Sequence, residues 1–120
     1  MDVYVFAYHV KPTATCSEFG KAGGAHADIW VLDSSRDSAE TKAKSYLIDY
    51  GWLVVEQTNE LVMNDEQIVH YREDAQANYS QAKKNGLSAF FCAYPVEERD
   101  DDVVEVYSIG NPPRSSKTKH

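Results

Sequence analysis

The sequence predicts an α+β domain: a two-layer sandwich in which a mixed sheet of four or five strands carries two helices on one face. Two observations support this. Short runs rich in β-branched and aromatic residues alternate with two longer segments whose apolar residues recur at helical spacing. The resulting order is β-β-α-β-α-β-β, which favours a layered sheet-and-helix packing. It is loosely ferredoxin-like in content, although the order of its elements does not follow that fold.

The chain has the length of one domain. Its 120 residues predict a single α+β domain at residues 1–110, followed by a disordered basic tail at residues 111–120. A chain of this length can bury a core without disulfide or metal staples. Its two cysteines do not make a disulfide framework.

The first strand is predicted at residues 3–10, where both faces are largely apolar. Such a strand requires cover on both sides or a dimer surface. The next segment, residues 11–26, changes to proline, threonine, serine and glycine and is predicted to be a long loop. Long loops in compact domains are usually functional or disordered.

The central unit of the chain is predicted to be a strand at residues 27–32, a helix, and a strand at residues 52–57. Serine and aspartate side chains after the first strand can cap the helix, and Asp37 places negative charge in its first turn. Gly51 stands where a left-handed residue would end the helix. This order predicts a right-handed crossover between parallel strands.

The second half of the chain repeats the alternation. Residues 58–65 are predicted to extend the strand or to form a short loop, and a second helix is predicted at residues 65–85. Residues 87–94 are continuously apolar and predict a central strand covered on both faces. The acidic residues 96–102 predict a solvated turn, and residues 103–109 alternate like an edge strand.

The charge and hydropathy patterns exclude several classes of function. Twelve basic and nineteen acidic side chains leave a net charge of −7, which disfavours binding to a phosphate backbone. No stretch approaches the roughly 18 apolar residues of a membrane span. The first residues lack the features of a signal peptide, so a cytoplasmic location is expected.

The loop between the first two strands contains the best candidate site. The candidate ligand-binding side chains are His9, Cys16, Glu18, Lys21 and His26. A cysteine and a histidine can form a thiolate–imidazolium pair or bind a metal, and the glycine-rich stretch can contact phosphate. None of the spacings matches a complete motif, so neither a metal nor a cofactor is assigned, and a mobile connection is the simpler interpretation.

Two functions follow from these patterns. The first is a non-enzymatic partner-binding or regulatory protein that dimerises, or binds a protein partner, through an open apolar sheet face. That face would be lined by Tyr4, Phe6, and Trp30 or Phe90. The alternative is small-molecule binding or catalysis at the loop of residues 16–26. No complete catalytic constellation is present, which favours the first function over an enzyme.

Overall fold

The computed structural model describes residues 1–96 and 107–109 and confirms the α+β class. The strands are β1 (Asp2–Pro12), β2 (Ala22–Asp33), β3 (Trp52–Met63), β4 (Leu87–Pro95) and β5 (Tyr107–Ile109), and the helices are α1 (Arg36–Asp49), α2 (Asp65–Ile68) and α3 (Glu73–Asn85). The strands form one sheet in the order β3-β1-β2-β4-β5.

Every strand pairing in the described part of the chain is antiparallel, so the predicted mixed sheet is wrong. β2 and β3 do run in the same direction, as a crossover through α1 predicts. However, β1 lies between them and pairs with both. The local sequence pattern predicts that β2 and β3 run in the same direction, but it does not predict that β1 lies between them. The ferredoxin-like topology is not confirmed.

The helices lie on opposite faces of the sheet, so the predicted arrangement with both helices on one face is also wrong. Alternate residues of β1 point to different cores. Phe6 and Tyr8 are buried in a cluster with Leu47 of α1. Val5 is buried in a second cluster with Tyr79 of α3. The apolar character of both faces of β1 requires cover on both sides, and one helix supplies it on each side.

The predicted open apolar face is therefore divided between the two cores. Tyr4 and Phe6 lie in the cluster beneath α1. Trp30 lies in the cluster with α3, and Phe90 is half-buried on the same side of the sheet. The large aromatic residues of the sheet do not form one continuous exposed surface.

The helix termini follow their sequence signals. The Ser35 hydroxyl accepts a hydrogen bond from the Ser38 N–H at 3.2 Å and caps α1. Gly51 has a φ of 85° directly after the helix, a conformation that favours glycine. A side chain at Gly51 would also overlap the backbone of Cys16. The end of α1 is thus packed against the loop between β1 and β2.

The second predicted helix is interrupted. α2 ends at Ile68 and α3 begins at Glu73, with a turn between them. Ile68 and Ala75 both pack into the cluster on the α3 side. Ile68 and Ala75 are seven residues apart, which is about two turns of an α-helix. The apolar periodicity therefore continues across residues 69–72, and the sequence pattern does not show that the helix is interrupted there. The turn places Tyr71 beside the sheet, where it lines a cavity.

Several predictions fall on the C-terminal region. The tail at residues 111–120 and most of the acidic turn lie outside the described residues. β5 pairs with β4 within the segment that was predicted to be an edge strand. None of the helices in the described part of the chain has the length and apolar character needed to span a bilayer.

Two neighbouring residues of α1 test which face of this helix contacts the sheet. Leu47 is fully buried, whereas Ile48 is 67% exposed. We expect Leu47→Ala to lower the free energy of unfolding by about 2–5 kcal/mol, because it removes buried methyl groups and leaves a cavity. Ile48→Ala, the control, should change it by less than about 0.5 kcal/mol. Urea denaturation measures both, and equal losses would contradict this placement of α1.

Candidate functional site

The structure brings two of the predicted site residues together. His9 of β1 and His26 of β2 are directly opposite each other in the strand register, and their rings stack with centroids 5.1 Å apart. Cys16 is separated from them, because it is buried in the core beneath α1. The two histidines point to the opposite face of the sheet. The predicted convergence of the cysteine with the histidines is therefore not observed.

The loop itself is shorter than predicted and is packed. It spans residues 13–21, because the strands extend into both of its ends. Cys16 is 5% exposed, and its Sγ accepts a hydrogen bond from the Glu18 N–H at 3.4 Å. Burial raises the pKa of the Cys16 thiol, which is the reverse of what an activated nucleophile needs. Glu18 is also buried, and Lys21 is exposed. The loop has the features of a structural element.

The glycine-rich stretch allows a tyrosine to approach the sheet closely. Gly24 lies within β2, and a side chain there would overlap the ring and hydroxyl of Tyr94. The Tyr94 hydroxyl forms a hydrogen bond with His9 Nε2 at 2.6 Å. The Tyr94 ring also lies 6.1 Å from the His26 ring. We call these three side chains, His9, His26 and Tyr94, the His–Tyr cluster. Sequence analysis did not identify Tyr94, although glycine inside a strand indicates a close approach of this kind.

A cavity of about 240 Å³ lies on the same face of the sheet. Its walls combine the sheet with the first turns of α3 and the preceding turn. The apolar part of its lining includes Val5, Ala7, Trp30, Leu61, Met63 and Phe90, and the polar part includes Asp28, Asn59, Asp74 and Asn78. An apolar wall with a few polar groups is the usual composition of a small-molecule site.

The strand register explains where the cavity lies. Val5 and Trp30 are opposite each other, and α3 packs over them. The next row on this face contains Ala7 and Asp28 and forms part of the cavity lining. The following row contains the two histidines, of which His26 is exposed. The cavity therefore lies at the edge of the area of the sheet that α3 covers.

Two lining residues carry polar groups that burial disfavours. The Trp30 side chain is 5% exposed, and its enclosed indole N–H has no acceptor among the described residues. The Asp28 carboxylate is half-buried. Burial raises the pKa of Asp28; His26 lowers it and Asp74 raises it. Because it is only half-buried, the Asp28 carboxylate can contact a ligand in the cavity.

The geometry favours binding over covalent catalysis. The thiol on this side of the sheet is that of Cys92, which is opposite His26 in the register. Burial raises the pKa of this thiol, and the carboxylates of Asp28 and Asp74 raise it further. It therefore lacks the stabilised thiolate that a nucleophilic cysteine requires. Asp28 can accept a hydrogen bond or, when protonated, donate one, which suits recognition of a polar ligand.

The described residues contain no group of three or more His, Cys, Asp or Glu side chains that is arranged to hold a metal ion. A comparison with known proteins found no matching family model, curated protein or solved structure.

The contact between Gly24 and Tyr94 can be tested by a double-mutant cycle. Gly24→Ala should lower the free energy of unfolding by about 1–3 kcal/mol, because the new methyl group displaces the Tyr94 ring. The loss should be smaller in a Tyr94→Ala background. It should persist in a Tyr94→Phe background, which keeps the ring. Effects that add within about 0.5 kcal/mol would show that the two residues are not coupled.

The raised pKa of Asp28 predicts that its charge costs stability. A carboxyl whose pKa is raised in the folded state destabilises the protein as the pH rises from its unfolded value, about 3.9, through the folded value. Asp28→Asn should therefore raise the melting temperature at pH 7, and the gain should shrink as the pH falls towards 4.

Asp65→Asn serves as the control of opposite sign. Hydrogen bonds from Tyr79 and Lys83 lower the pKa of Asp65, so its charge stabilises the fold above the unfolded pKa. This variant should lose stability at pH 7, and the loss should shrink only as the pH falls below about 4, through the lowered pKa of Asp65. Thermal unfolding between about pH 2.5 and pH 7 measures both variants. A destabilised Asp28→Asn protein at pH 7 would contradict the assignment of Asp28.

Proposed function

We propose that this protein binds a small molecule in the cavity between the sheet and α3. The observation that supports this most strongly is the combination of a 240 Å³ space with a largely apolar lining that includes the half-buried Asp28 carboxylate. Small-molecule sites have volumes of roughly 300–1,000 Å³, so this cavity suits a small ligand. Small-molecule binding was the alternative function predicted from the sequence, at the loop of residues 16–26. The site proposed here lies instead between the sheet and α3.

The proposed role is recognition without a chemical step. Burial raises the pKa of Asp28, and a carboxyl with a perturbed pKa in a cavity is a candidate for a functional group. Both cysteines are free thiols, which supports the predicted cytoplasmic location as part of this proposal.

Partner binding with self-association is the second candidate, and a different observation favours it. β3 is an edge strand, and three of its apolar side chains are exposed: Leu53 at 58%, Val55 at 48% and Val62 at 47%. An exposed edge strand can pair with a strand of another chain. Against this, Glu56 and Glu60 also lie on β3, and like charges oppose the pairing of two copies. The cavity carries the stronger argument.

A pair of substitutions on α3 tests the proposed function. Ala75 lines the cavity, whereas Ala77 is exposed on the same helix. We expect small polar fragments, screened by saturation-transfer NMR, to bind the native protein and the Ala77→Leu variant. Ala75→Leu fills part of the space and should abolish binding or weaken it at least about tenfold. Both substitutions replace one good helix former with another, so the helix should be retained.

Tryptophan fluorescence gives a second readout of the same site. Bound fragments should change the emission of the native protein and of Trp52→Phe, because Trp52 lies beneath α1 on the opposite side of the sheet. The change should be absent in Trp30→Phe. Fragments that bind Ala75→Leu and Ala77→Leu equally, or that change the fluorescence of Trp52, would show that the cavity is not the binding site.

A further inference from the structure

We infer that the ligand of this cavity is a small organic cation, a protonated amine. This inference rests on the proposed function, because it assigns a chemical class to the molecule that the cavity binds. It follows from two features of the lining, namely its charge and its aromatic rings.

The charge of the lining has one sign. Asp28 and Asp74 both line the cavity, and none of its lining residues is a lysine or arginine. Burial contributes most to the raised pKa of Asp28, the His26 imidazole beyond the cavity lining lowers it, and the Asp74 carboxylate raises it. A cation between them relieves this repulsion, whereas an anion increases it. The net charge of −7 over the whole chain also attracts cations to the protein.

The aromatic part of the lining suits the same ligand. Trp30, Tyr71 and Phe90 all line the cavity. The face of an aromatic ring carries partial negative charge, and an ammonium group within about 6 Å of a ring is attracted to it. Tyr71 is 46% exposed, so it lies at the entrance, whereas Trp30 is almost completely buried. Rings and carboxylates together form the usual surroundings of a bound ammonium group.

Matched probes separate these requirements. Ethanolamine has the charge and the oxygen, ethylamine lacks the oxygen, ethylene glycol lacks the charge, and glycolate reverses the charge. Isothermal titration calorimetry and chemical-shift titration of the full chain measure their binding. We expect ethanolamine to bind at least about tenfold more tightly than ethylene glycol, with glycolate weakest. We expect ethylamine, which keeps the charge, also to bind more tightly than ethylene glycol.

Two variants connect these preferences to the residues. Asp28→Asn should remove most of the preference for ethanolamine over ethylene glycol, and the control Asp49→Asn, an exposed aspartate on α1, should retain it. Circular dichroism and the melting temperature establish that each variant is folded.

The possible outcomes distinguish the inference from the proposed function. Binding of ethylene glycol or glycolate that equals or exceeds that of ethanolamine, and that Ala75→Leu abolishes, would overturn the inference and leave a small-molecule site. Binding of amines that Ala75→Leu and Asp28→Asn do not affect would also overturn it, because the charge would then act elsewhere. If neither these probes nor any fragment binds, both the inference and the proposed function fail.

Discussion

The structure depends on β1, which has apolar side chains on both faces and hydrogen-bonds to a strand on each edge. A strand of this kind cannot lie at the surface, because either face would expose a row of large side chains to water. One helix must therefore cover each side. The crossover through α1 provides one cover, and the connection through α2 and α3 provides the other. The antiparallel sheet and the opposed helices both follow from the central position of β1.

The candidate site follows from the unequal extent of these two covers. On the α3 side, the helix packs over the row that contains Val5 and Trp30, and its first turns stand above the row that contains Asp28. The histidine row is left uncovered. Polar side chains can occupy such a boundary, because water or a ligand can reach them. Asp28 lies at this boundary, and burial there raises the pKa of its carboxyl, a perturbation that is common at functional sites.

The loop between β1 and β2 shows how residue types can suggest the wrong place for chemistry. Cysteine, glutamate and glycine occur there at high density, but Cys16 is a core residue and Gly24 belongs to a strand. Gly24 instead allows Tyr94 to reach His9. The cysteine and glycines of this segment allow backbone and side chains to pack closely. The same residue types are also typical of a reactive loop, which is why the sequence predicted one here. Of the side chains predicted to form the site, only His9 and His26 are in contact with each other, and their rings stack.

The sequence by itself determined the α+β class, the presence of α1 between a serine- and aspartate-containing capping segment and Gly51, and the need to cover both apolar faces of β1. These features are encoded in neighbouring residues, because capping and apolar periodicity act over two to four positions. Only the tertiary structure decided that β1 is inserted between β2 and β3, that the helices lie on opposite faces, and that Asp28 shares a cavity with Trp30 and Asp74. These features depend on strand register between segments far apart in the chain. A shift of one residue in that register would move every side chain to the other face, and no local pattern specifies it.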